Sequence, residues 1–292
     1  MSLSQAEIDQ FFDRGYLGPL TLFEPAVATD LLRRIDAEVL SERSATYAHT
    51  RGDPPKVDYT RDRHLDSPLL HRVASSPAIV DRVVSLLGPD VLLWRSDVFA
   101  QGPGDPPTYP HQDIDLSGTR VVPCIEAGGA GIATIKRPNG DVALPLCVSA
   151  WIAFSTMREA TGTLWIVPGT HRAVIPEVAG EGFAGRPFVL AQTFTPSDGV
   201  ILDVQPGQFI LFHNLLVHGS VPAQGARRLA WTTRYVTPET RIYARGPLNA
   251  QGQDLARFGS VLVAGCDRAH VNVLRAPPSV SEGSILEERA LG

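Results

Sequence analysis

The sequence predicts a mainly β protein with flanking α-helices, its strands arranged as an antiparallel sandwich or jelly roll. Three observations predict this. Glycine (26) and proline (24) make up 50 of the 292 residues, about 17% against an average of roughly 12%. They follow no period, which excludes a collagen-like chain and implies many turns. After Gly88 the chain becomes a series of short β-branched and aromatic runs with no helical segments between them. Before Gly88 the apolar residues recur at helical spacing instead.

The first helix starts at the N-cap Ser4, carries Ile8, Phe11 and Phe12, and closes at Gly15. Pro25 opens a second, with Ala28, Leu31, Leu32, Ile35 and Val39 as its apolar stripe. Ser41 to Asp66 is polar and irregular and reads as a long loop over one face of the protein. A third helix runs from about Pro77 to Leu87, buries Ile79, Val80, Val83, Val84 and Leu87, and stops at Gly88. The strands follow as VLLWRSDVFAQ, VSAWIAFST, GTLWIVPG, GQFILFHNLLVHGS and RLAWTTRYV, separated by Gly, Pro, Asn and Asp. A single domain over residues 1–292 results. Residues 1–90 form a mostly helical flank with a lid loop, 91–236 the β core, and 237–292 a peripheral C-terminal segment.

A formal net charge of −5 argues against a nucleic-acid binder that works by neutralising phosphates. Cys124, Cys147 and Cys266 are odd in number and widely spaced, so neither a disulfide framework nor a thiolate zinc site is expected. The N-terminus MSLSQAEIDQFFDRGYL lacks the apolar core of a signal peptide, and no stretch approaches the roughly 18 apolar residues of a membrane span. The expected location is the cytoplasm, with no membrane partner.

Chemistry is sought among the eight histidines. In an extended segment His111 and Asp113 point to one face, so an imidazole and a carboxylate can converge on one ion. A second histidine would complete a facial triad with open positions, the arrangement of non-haem Fe(II) oxygenases. Alone, HxD is a weak signal. Downstream, however, GQFILFH leads into LVHGS with His218, and Arg228 follows ten residues later. A ligating histidine followed by an arginine able to fork onto a carboxylate suits a 2-oxo diacid that chelates iron at its other end.

Taken together, RHLDSPLL (63–70), LLGPDVLLWRSDVF (86–99), PGDPPTYPHQD (103–113), AWIAFS (150–155), GTLWIVPGTHR (162–172) and HGS…RR…RY (218–235) resemble the phytanoyl-CoA dioxygenase family of Fe(II)/2-oxoglutarate oxygenases. Within it they resemble the branch of non-haem iron halogenases and hydroxylases of amino acids. The resemblance implies a double-stranded β-helix, the jelly-roll or cupin-like core. It also implies Fe(II) held by His111, Asp113 and His218, 2-oxoglutarate anchored by Arg228, and O2 as oxidant. Halogenases of this branch have a small residue at the carboxylate position, where chloride binds. Asp113 occupies that place and points to hydroxylation. The arginine lies at +10 rather than the usual +11, with Arg227 in reserve, but its spacing of six to Arg234 fits the pattern.

The resemblance places Trp151 near 2-oxoglutarate, and Gln101 is a candidate amide for the same ligand; core packing is the rival reading for both. His64, Arg95 and Gln112 are candidates for a substrate pocket, with a structural role or a sheet-face ion pair as alternatives. His213, five residues before His218, is read as a core residue, and His171 as a loop support. Val121 to Asp141, with Glu126, Lys136 and Arg137, is the candidate for substrate selection. The implied substrate is a small molecule, a free or carrier-protein-tethered amino acid or natural-product intermediate. Desaturation, epimerisation or cyclisation would use the same ligands; a silent cupin-like binding module is the reading from a different class. Oligomeric state is not readable from the sequence.

Overall fold

The structure, a computed structural model, describes residues 1–40, 60–113, 146–181, 188–225, 227–242 and 259–279, with short backbone strands between them. Helix α1 (Gln5–Arg14) is held at its start by a reciprocal capping box between Ser4 and Glu7, and ends at Gly15 in the left-handed region, φ 82°. Only glycine has space there, because a Cβ would sit 2.4 Å from the His171 ring. Strand β1 (Tyr16–Thr21) follows, then α2 (Pro25–Arg34), whose end widens into a π-helical turn over Ile35–Leu40. Two further helices, α3 (Pro68–Ala74) and α4 (Pro77–Leu87), both begin on proline at the first position. The sequence reading anticipates α1, α2 and α4 but not α3 or β1, whose run YLGPLT is short and broken by Pro19.

The β core has β2 (Val91–Gln101), β3 (Val148–Ala153), β4 (Leu164–Val167), β5 (Val200–Ile201), β6 (Gln208–His213), β7 (Val217–Ser220), β8 (Arg228–Val236) and β9 (Val261–Ala264). A six-stranded antiparallel sheet has the order β1-β6-β3-β8-β2-β9, and a second sheet has the order β5-β4-β7. The fold is the mainly β jelly-roll type expected. The C-terminal segment, expected to be peripheral, supplies β9 as an edge strand of the large sheet.

Strand alternation separates two apolar layers. Ala150, Ile152, Phe209, Leu211, Leu229, Trp231 and Tyr235 face outward and pack with Phe11, Leu31, Ile35, Leu70, Ile79 and Val83 of the helical flank. Trp151, Ala153, Ile210, Phe212 and Ala230 face inward and pack with Leu164 and Ile166 of the second sheet and Leu216 just before β7. This parity decides which polar residues can reach the barrel interior. Among the described residues no helix is long and apolar enough to cross a membrane.

His64 and His213 are buried polar members of this packing. His64 is fully enclosed, and burial lowers its imidazole to about 4. Burial, then the neighbouring His171, lowers His213 to about 3. In the unfolded chain both titrate near 6.5, so below that pH the unfolded state binds protons that the folded state refuses. Stability is therefore present above about 6.5 and lost as pH falls toward the folded values. At pH 5 each histidine should cost about 2 kcal/mol. Urea unfolding at pH 7.5 and pH 5.0 measures this, and His213→Gln should remove one such increment from the difference.

Candidate metal centre

The centre is built where the segment after β2 returns to the second sheet. The stretch from Thr108 runs beside β7: the Ser220 amide donates to Thr108 O (3.0 Å), and the Thr108 amide to Ser220 Oγ (2.8 Å). His111 and His218 exchange both backbone bonds, at 3.0 and 3.1 Å, which makes them a directly opposed antiparallel pair. Gly219 permits this closeness, since a Cβ there would lie 2.9 Å from Thr108 O and 2.8 Å from the Trp165 ring. The Asp113 amide donates to Asn214 O at 2.7 Å and pins the carboxylate beside them.

The result is three ligand atoms, from His111, Asp113 and His218, all within 4.8 Å of one another. The imidazole rings lie 4.2 Å apart between centroids, and His111 Nε2 is 3.7 Å from Asp113 Oδ1. His111 Nδ1 bonds Tyr109 O and His218 Nδ1 bonds Leu216 O, each at 2.9 Å. A carbonyl oxygen only accepts, so both Nδ1 atoms carry the proton and both Nε2 lone pairs remain available. Burial, then His111, lowers His218 to about 4, which keeps it neutral at pH 7. Burial alone would raise Asp113, but the Arg234 guanidinium beside it holds its carboxyl well below the usual range. Two imidazoles and one carboxylate form a donor set suited to a divalent first-row metal.

On the inner face of β8, Arg228 lies opposite Gln101 of β2 and donates to its Oε1. Its other contacts are Val221 O at 3.4 Å and Met157 Sδ at 4.0 Å. It is buried, its Nε has no partner, and no carboxylate pairs with it among the described residues. Burial alone lowers it to about 10, so it remains a cation at neutral pH. A buried, uncompensated guanidinium is an anion site by its chemistry. Trp151, opposite Thr232, is inward-facing on the next strand.

Residues 11–229 match the phytanoyl-CoA dioxygenase (PhyH) family. The chain belongs to this family. A probable phytanoyl-CoA dioxygenase of Caenorhabditis elegans is 32% identical over 75 residues, a stretch covering 24% of each protein. Thus the match spans about a quarter of that curated relative. Over the whole fold the chain is similar to CytC3 with Fe(II) and alpha-ketoglutarate, at 26% identity and TM-score 0.69, with 94% of this chain and 93% of that one covered. The non-heme monooxygenase ThoJ has the same fold at 21% identity and TM-score 0.68, over 93% of this chain and 88% of its own.

Several residues of this phytanoyl-CoA dioxygenase family member lie away from the metal grouping. Gln112 points opposite to its neighbours and is fully engaged: its amide donates to Ala173 O (2.8 Å) and Leu215 O (2.7 Å), and Oε1 accepts from the Ile175 amide (2.9 Å). It fastens the ligand segment to the loop after β4. His64 bonds Ser96 Oγ at 2.8 Å, and Ser96 is paired with Thr233 on the helix-facing side of the large sheet. The sheet therefore separates His64 from the barrel interior. His213 accepts from the Leu215 amide at 3.0 Å and packs against His171, away from His218. Arg95 lies opposite Arg234 in register, 3.6 Å from Asp97 and against the Trp94 ring. Most of Val121 to Asp141 lies outside the described residues, as do 41–48, 52–55 and Cys124.

Arg234 is the site residue that sequence reading uses only as a spacing marker. It donates to both oxygens of Asp113 and to Asp97. The available signal was parity: in RLAWTTRYV, Arg228, Ala230, Thr232 and Arg234 share the inner face, and a second charge on that face needs an inner partner.

Proposed function

We propose that this protein is an Fe(II)- and 2-oxoglutarate-dependent dioxygenase that hydroxylates an unactivated C–H bond of a small molecule. His111, Asp113 and His218 hold the iron, and Arg228 anchors the distal carboxylate of 2-oxoglutarate. When bound, iron with 2-oxoglutarate and O2 supplies the oxidising power that no protein side chain has. The observation that carries the reading is the pair of Nδ1-tethered histidines facing Asp113. The unpaired Arg228 on the inner face of the same barrel supports it, and CytC3 with its Fe(II) and alpha-ketoglutarate is the relevant neighbour.

The chain's own residues have three tasks in this reaction. His111 and His218, each tethered to a carbonyl oxygen through Nδ1, turn Nε2 toward the metal position. Arg228, forked onto a carboxylate, fixes the orientation of the co-substrate. Trp151, Ile210 and Phe212 line the interior with apolar surface and limit water near the reacting bond. Asp113 occupies the position that chloride takes in the related halogenases, which favours hydroxylation over chlorination. The substrate is a free or carrier-tethered amino acid or another natural-product intermediate. The protein acts as a soluble cytoplasmic enzyme with no nucleic-acid partner.

Anaerobic addition of Fe(II) and then 2-oxoglutarate should give a weak visible charge-transfer band. Admitting O2 should then release succinate. A flat spectrum and no succinate, with 2-oxoglutarate binding undetectable by calorimetry, would leave the silent binding module as the better reading.

A further inference from the structure

The inner face of the large sheet is built of rows that cross its strands. Arg228 of β8 and Gln101 of β2 face each other in the row at one end. Six residues further along β8, roughly 20 Å on extended chain, Phe212, Ser149, Arg234 and Arg95 stand side by side on β6, β3, β8 and β2. This second row faces the metal centre. The Phe212 ring lies 4.9 Å from the His218 ring, and Arg234 donates to Asp113. Ser149 sits between those two contacts, on the inward parity of Trp151 and Ala153. It is fully buried, and its Oγ has no hydrogen-bond partner. A buried hydroxyl without a partner destabilises the fold, so its place beside the centre calls for a ligand that completes it.

Resting on the iron reading above, we propose that Ser149 is a substrate-binding residue which, with the Arg95 guanidinium at the end of its row, takes a free carboxylate of the substrate. The co-substrate does not supply this group, because its two ends go to Arg228 and to the metal. A hydroxyl donates one hydrogen bond, and a donor in line with two guanidinium groups suits an oxygen anion better than a neutral carbonyl or alcohol. Arg234 spends its fork on Asp113 and Asp97 and adds charge to the row rather than a contact. Arg95, whose guanidinium lies over the Trp94 ring, brings a second planar donor fork. A carrier-bound substrate has an uncharged thioester where this carboxylate would be. The row therefore selects a free acid, such as an unattached amino acid, over a carrier-tethered one.

The test uses the full-length protein loaded with Mn(II) and saturated with 2-oxoglutarate, which fills the Arg228 site. Propionate is the probe, and propionamide, its uncharged counterpart, is the control. Broadening of the probe's methyl proton signal by Mn(II) reports binding near the metal. Propionate should bind at least about tenfold more tightly than propionamide, the scale of a hydrogen bond to a charged group. Ser149→Ala should weaken propionate binding about tenfold, and Arg95→Gln about as much, with Mn(II) occupancy unchanged. Because the Ser149 hydroxyl has no partner within the fold, Ser149→Ala should melt no lower than wild type in the apo form. A hydroxyl with only a structural role would give the opposite pair of results. If Arg95→Gln fails to fold, Ser149→Ala carries the comparison. Equal binding of propionate and propionamide, no broadening of either, or unchanged propionate affinity in Ser149→Ala overturns the assignment and leaves the iron centre intact. Failure of Mn(II) to bind overturns both.

Discussion

Replacing Arg228 with Met should weaken 2-oxoglutarate binding by about two to four orders of magnitude while leaving the apo-protein as stable as before or more so. The first part follows from stranding a ligand carboxylate in a buried site without its forked partner, a loss of roughly 3–5 kcal/mol. The second follows from the absence of any carboxylate beside Arg228 among the described residues. Burial alone lowers its guanidinium from its ordinary value to about 10, a cost to the charged form of roughly 3 kcal/mol. Methionine keeps much of the volume and removes that cost. The bonds to Gln101 and Val221 offset part of the gain. Calorimetric titration of 2-oxoglutarate and thermal unfolding of the apo-protein separate the two effects. A variant that binds 2-oxoglutarate normally but melts several degrees lower would identify Arg228 as structural and sink the anchoring role.

Legibility in the sequence followed the range of the signal. The β core was readable because its strands are inner and outer layers at once, and RLAWTTRYV or VSAWIAFST show that alternation locally. The convergence of His111 and Asp113 was readable for the same reason: residues two apart on extended chain share a face. That His218 lies directly opposite His111 is a register fact, set by the Thr108–Ser220 bonds and the missing Cβ of Gly219, and no local pattern reports it. Here the family resemblance supplied what spacing could not. Gln112 and His64 show the limit of proximity in sequence. Gln112 adjoins both candidate ligands yet faces away by strand parity, and His64 lies on the helix side of the sheet because Ser96 does. Strand β1 and helix α3 escaped notice because each is short and draws its stability from tertiary packing against β6 and the helical flank rather than from its own propensity.

Asp113→Ala should abolish the Fe(II)–2-oxoglutarate absorption band in chloride-free buffer, and chloride should partly restore it. Loss of the carboxylate removes one of three proposed ligands, and metal binding should fall by more than the about hundredfold that loss of an outer partner costs. The substitution also unbalances the charge nearby. In the wild type burial would lower the Arg234 guanidinium, but Asp113 and Asp97 together hold it above its ordinary value. Without Asp113 the buried cation retains Asp97 but loses two contacts and faces a cavity the size of a carboxylate. A small anion in that cavity would neutralise Arg234 and offer the metal a ligand, so chloride should act where water does not. Combining Asp113→Ala with Arg234→Gln should remove the chloride effect while leaving the single variant's metal loss in place. Titrations of Fe(II) at fixed 2-oxoglutarate, with and without about 100 mM chloride and with nitrate as the control at equal ionic strength, distinguish specific filling from screening. Asp113→Ala that keeps the wild-type band without chloride would exclude Asp113 as a ligand. In that case the ion pair with Arg234 would be its entire role.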